Sequence, residues 1–94
     1  MVKHIVMYTL KAGVEKSSAV AFIASCLTPL VGRIDGLRAM EVVETFQGGM
    51  DYVLYSEFDS REALKAYAVH PLHVAAKDQF FHMIDTRVAG DYEV

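Results

Sequence analysis

Residues 66–73, AYAVHPLH, place Tyr67, His70 and His73 within one short stretch around Pro71. A neutral imidazole, with an ordinary pKa near about 6.5, can take a proton from a carbon beside a carbonyl at neutral pH. A phenol can donate a hydrogen bond to the oxygen on which charge then develops. Together these are parts for acid–base chemistry at a carbonyl compound, with His73 as the base and Tyr67 as the polarising donor. His4 is a further ring of this kind; it shares a strand face with Val6 and Tyr8 and would fix a polar ligand group at a pocket floor. The competing account makes His73 a core histidine bonded to a backbone carbonyl and Tyr67 a packing residue. His70, just before Pro71, suits a helix-junction or capping role. His70 and His73 stand three apart, a metal-ligand spacing on one helix face, but the proline separates them and no cysteine or paired carboxylate joins them. No metal and no cofactor are expected.

The elements that position these rings follow from periodicity. Residues 2–10 alternate as a strand, with His4, Val6, Tyr8 and Leu10 on one face and Ile5 and Met7 on the other. Val20, Ile23, Ala24, Leu27, Leu30, Val31 and Ile34 then recur at helical spacing up to Gly36, with Pro29 set to kink or divide the helix. LRAMEVVETF and DYVLYSEF, joined by QGGM, form a hairpin of antiparallel strands. Asp59 and Glu62 make a capping-box pattern for a second helix that carries Leu64, Tyr67 and Ala68 on one side and stops at Pro71. A further helix starts at Pro71 and runs to about Met83, with His73, Ala76, Phe80 and Ile84 as its inward stripe. TRVAGDYEV closes the chain as a strand. The order β-α-β-β-α-β is the ferredoxin-like arrangement, an α+β fold with a four-stranded antiparallel sheet covered by helices on one face.

Length and composition bound the partners. The 94 residues are expected to form one domain, and a hydrophobic content of 53% exceeds what so small a core can hide. A second copy covering the bare sheet face, giving a homodimeric α+β barrel, answers that excess. A net charge of -3 without a Lys/Arg cluster argues against nucleic acid and against an anionic membrane surface. No apolar run reaches membrane-spanning length and the N-terminus lacks a signal-peptide pattern. The lone Cys26 cannot form an internal disulfide, which suits a cytoplasmic protein.

The opening VKHIVMYTLK, the His-Pro-x-His core of YAVHPLH and the closing DYE, in this order, resemble the stress-responsive A/B barrel (Dabb) family across residues 1–94. The resemblance implies a dimeric α+β barrel and, more distantly, a likeness to a plant polyketide (olivetolic acid) cyclase that closes an aldol ring without a cofactor. Carried over residue by residue, that cyclase's catalytic pair falls on Tyr67 and His73 and a pocket histidine on His4. Its pocket lining falls on Val6, Tyr8, Phe22, Ile23, Cys26, Leu54, Val74, Ala76 and Ile84. Cys26, Ala76, Ile84 and Ala89 replace larger or aromatic groups, and Arg87 stands where an apolar residue is expected. The function expected on this basis is a barrel that binds a small apolar or aromatic ligand between sheet and helices. The alternative is a cofactor-independent cyclase or lyase using the Tyr/His pair.

Overall fold

The first strand, β1 (Val2–Leu10), splits its side chains as its alternation requires, burying Val2 and Val6 beneath the helices while Lys3, Ile5, Met7 and Thr9 occupy the opposite face in the computed structural model. All 94 residues are described. The elements that follow are α1 (Lys16–Leu27), β2 (Leu37–Glu44), β3 (Tyr52–Phe58), α2 (Arg61–Val69), α3 (Pro71–Phe80) and β4 (Ile84–Glu93). The sheet is antiparallel throughout, in the order β2-β3-β1-β4, which is the ferredoxin-like topology.

Local chemistry sets the element ends. Glu15 caps α1 by accepting from the amides of Ser17 and Ser18 at 3.3 and 2.6 Å, and the Ser18 side chain, followed by these amides, holds its carboxyl below the ordinary carboxylate value. Pro29 does divide the long helical pattern: α1 stops at Leu27 and Thr28–Leu30 form a separate 3₁₀ turn that carries the proline at its start. Gly36 then reverses the chain at φ +85°, close enough to α2 that an added Cβ would lie 2.6 Å from Cβ of Ala63.

The second helix starts one residue later than the capping-box pattern indicates. Ser60 is its cap, accepting from the Ala63 amide at 3.1 Å. Asp59 is drawn off by Arg38, whose Nε and Nη2 donate to its two carboxylate oxygens at 2.6 and 2.7 Å. Pro71 breaks the following helical stretch as expected, with α2 ending at Val69 and α3 beginning at the proline. His70 between them accepts from the Leu72 amide through Nδ1 at 3.1 Å, so it caps α3. Ile84 departs from the expected helical stripe: a 3₁₀ turn at Phe81–Met83 ends the helix, and Ile84 opens β4 opposite Leu10.

The core lies between sheet and helices. Ile23, Leu27, Tyr52 and Phe58 are the largest of its fully enclosed side chains. Helix α1 packs on β2 and against α3, while α2 rests on β2 and β3. Coverage is therefore concentrated away from β4, whose Arg87, Asp91 and Glu93 remain exposed. The other sheet face has no helix. Ile5, Met7, Val53, Val88 and Tyr92 lie there, Val88 and Tyr92 exposed.

Candidate functional site

The uneven coverage opens a cavity of about 690 Å³ between β1, β4 and the two C-terminal helices. Its floor comes from the inward side of the sheet, with Val2, His4, Tyr8, Leu54 and Ile84. Leu64, Tyr67 and Ala68 from α2, with His73 and Phe80 from α3, line it on the helix side. Charged side chains, Lys65, Lys77 and Arg87 among them, also border it.

Tyr67 is 3% exposed, and its hydroxyl has no hydrogen-bond partner. Its ring packs on Phe58 at a centroid distance of 5.0 Å and on His73 at 4.2 Å with a 35° tilt. Burial pushes the phenol well above its ordinary value of 10, so the group is a donor at neutral pH. A buried phenol usually finds an acceptor, and this one has none within the protein.

His73 bonds through Nδ1 to the Ala68 carbonyl at 3.2 Å. A carbonyl only accepts, so Nδ1 carries the proton and Nε2 of the neutral ring keeps its lone pair. Burial pushes the imidazole below its ordinary 6.5; the carbonyl bond opposes this, while the charges of Lys77, His4 and His70 reinforce it. The ring is thus a neutral base at pH 7. His4 bonds through Nδ1 to Oδ1 of Asp91, its opposite residue in the β1-β4 register, and meets Phe58 edge-on at 6.4 Å. A carboxylate only accepts, so this bond orients the ring with Nε2 as its second polar atom.

Of the residues singled out from sequence, Tyr67, His73, His4, Tyr8, Leu54 and Ile84 line this cavity, and six others do not. Val6 and Ile23 are enclosed in the core at 1% and 0% exposure. Phe22 and Cys26 lie on α1, none of whose residues lines the cavity; Phe22 is exposed and Cys26 is half-buried against the core. Ala76 is also in the core, and Val74, one position around the helix from His73, is exposed.

Sequence reasoning passed over Leu64, Lys65, Lys77 and Asp91. Helical spacing carries a signal for two of these, since Leu64 precedes Ala68 by four and Lys77 follows His73 by four. Asp91 belongs to the closing DYE, but its meeting with His4 depends on strand register and carries no local signal. No group of three His, Cys, Asp or Glu side chains is arranged to hold a metal ion, and no helix is long and apolar enough to cross a membrane.

Fold and cavity together define a ferredoxin-like α+β protein with a pocket between its sheet and its C-terminal helices. Residues 2–94 match the family described as Stress responsive A/B Barrel Domain, and the chain belongs to that family. It is 28% identical over 97 residues to the stress-response A/B barrel domain-containing protein HS1 of Arabidopsis thaliana, covering 98% of this chain and 88% of the relative. A crystal structure from Bacteroides fragilis, a dimeric protein of unknown function with a ferredoxin-like fold, superposes with a TM-score of 0.87 at 34% identity, covering 99% of this chain and 95% of that one. A dimeric ferredoxin-like protein from Thermobifida fusca superposes with a TM-score of 0.84 at 23% identity, covering 99% and 90% of the two chains.

Proposed function

We propose that this A/B barrel domain is a cytoplasmic homodimer that binds a small, mainly apolar or aromatic ligand in the cavity, using Tyr67 as a hydrogen-bond donor to the ligand. The observation that carries the reading is the buried, unpartnered Tyr67 hydroxyl at a cavity with apolar walls. A ligand acceptor supplies the bond that the protein does not. The dimer is supported by the bare apolar sheet face and by the dimeric relatives. Met7→Glu, in the middle of that face, is expected to yield monomers by light scattering; an unchanged mass would reject this interface.

The ligand reading is tested with 2-naphthol, an apolar bicycle with one polar oxygen. The protein has no tryptophan, so naphthol emission can be followed without that background. Wild type is expected to bind, and Tyr67→Phe to bind about fivefold more weakly, the scale of one hydrogen bond. Equal affinities would reject the role of Tyr67.

A cofactor-independent cyclase or lyase is favoured by one further observation, the His73 ring packed at 4.2 Å on Tyr67 with a 35° tilt, where burial favours its neutral form. Nε2 of His73 would remove a proton from the carbon beside a ligand carbonyl while Tyr67 donates to that carbonyl oxygen. The enolate carbon would attack a second carbonyl of the same molecule, and the proton would pass from His73 to the new alkoxide. His73→Ala and Tyr67→Phe should each abolish such turnover while leaving a folded dimer; turnover at the wild-type rate in both would reject the roles.

A further inference from the structure

We propose that the cavity selects ligands bearing a carboxylate at the end that faces its mouth, with Lys65, Lys77 and Arg87 as the recognising charges. This inference rests on the ligand-site reading above and adds the chemical class of the ligand. The chain as a whole carries a net charge of -3, yet the residues bordering this cavity include four cations, Arg61, Lys65, Lys77 and Arg87, against only Asp91 and Glu93. Both acids are already engaged. Arg61 donates through Nε to Glu93 at 3.0 Å, and Asp91 accepts from His4. Lys65, Lys77 and Arg87 are left without a carboxylate partner, so even with the Asp91 charge set against them the balance around the cavity is positive.

Three further features give that charge a ligand to act on. Nζ of Lys77 lies 5.3 Å from the Phe81 ring centroid, a contact that holds the ammonium beside the cavity. Leu54, Leu64, Phe80 and Ile84 supply apolar wall for a ring or chain. The Tyr67 hydroxyl, on a residue only 3% exposed, awaits an acceptor within. The complementary molecule has an oxygen at its inner end, an apolar middle and an anion at its outer end. Arg87, opposite Tyr8 in the β1-β4 register, brings a guanidinium to the cavity from the sheet side, where a carboxylate can accept from it.

The test compares 2-naphthol with 6-hydroxy-2-naphthoate, which keeps the bicycle and hydroxyl and adds a carboxylate at the opposite end. Fluorescence titration of the full-length protein at low salt is expected to show the carboxylate binding about tenfold more tightly, as a few partly exposed ion pairs allow. The preference should shrink in high salt as the charges are screened. Lys77→Gln and Arg87→Gln, both at surface-accessible positions, should each narrow the ratio between the two ligands. Binding of 2-naphthol with no gain for the carboxylate, or a gain indifferent to salt and to both substitutions, would overturn this inference and leave the ligand site standing. Binding of neither compound would overturn both.

Discussion

Removing the Tyr67 hydroxyl separates an unpartnered donor from one that holds a structural hydrogen bond, because the two assign opposite signs to the change in stability. Tyr67 is 3% exposed and its oxygen has no partner, so in the empty protein the hydroxyl is a desolvated group without compensation. Such a group destabilises by about 1–3 kcal/mol, and the lower end applies where a cavity borders the side chain. Tyr67→Phe keeps the ring contacts with Phe58 and His73 and deletes only the orphaned oxygen. The variant should gain about 1 kcal/mol, seen as a rise in Tm of roughly 4–8 °C for a domain of this size at fixed protein concentration. Tyr52 is the internal control: it is 0% exposed, its hydroxyl is likewise unpartnered, it stacks on Tyr8 at 4.8 Å, and it does not line the cavity. Tyr52→Phe should also stabilise, while 2-naphthol affinity falls in the Tyr67 variant alone. Differential scanning calorimetry and the naphthol titration read the two effects independently. A drop in Tm for Tyr67→Phe would mean the hydroxyl holds a structural bond, and equal loss of naphthol binding in both variants would mean the cavity does not use Tyr67; either result refutes the reasoning.

Three other outcomes follow from the geometry. Because His73 has its pKa depressed in the fold, its contribution is full above the unfolded value near 6.5, is lost as pH falls through the lower folded value, and then levels off. Urea denaturation at a series of pH values should show that His73→Asn, which can keep a donor toward the Ala68 carbonyl, flattens this part of the profile; an unchanged profile would place the titration elsewhere. His70→Ala deletes the acceptor that caps α3 and should destabilise by about 1 kcal/mol in denaturant titration, with His70→Asn restoring most of it. Gly36→Ala combines a φ of +85° with a 2.6 Å approach to Ala63 and should lose about 2 kcal/mol or more; a variant as stable as wild type would contradict the tight turn.

The legible part of the molecule is the part governed by neighbours in sequence. Alternation along residues 2–10 was enough to separate the face of Val2 and Val6 from that of Ile5 and Met7, and proline chemistry placed the breaks at Pro29 and Pro71. The junction role of His70 follows from the same local rule. Local rules fail where two groups compete for one partner, as when Arg38 takes the Asp59 carboxylate and leaves Ser60 to cap α2. They also fail across long separations. The periodic pattern of α1 shows that Ile23 and Leu27 are buried but not against what, and α1 settles over β2 and α3, which leaves Phe22, Ile23 and Cys26 outside the cavity. His4 and Asp91 meet across 87 residues by strand register alone, which no short motif records. The cavity itself depends on how the helices are set over the sheet, because β4 is the strand they cover least.

The central claim, that the space between sheet and C-terminal helices is a ligand site organised by Tyr67, is tested most directly by NMR shift mapping of the wild-type protein with 2-naphthol. Shifts concentrated at Tyr67, His73, His4 and Phe80, and reduced at the same ligand concentration in Tyr67→Phe, are the expected result. Shifts confined to Ile5, Met7 and Val88 on the helix-free sheet face, or no saturable shifts at all, would contradict it.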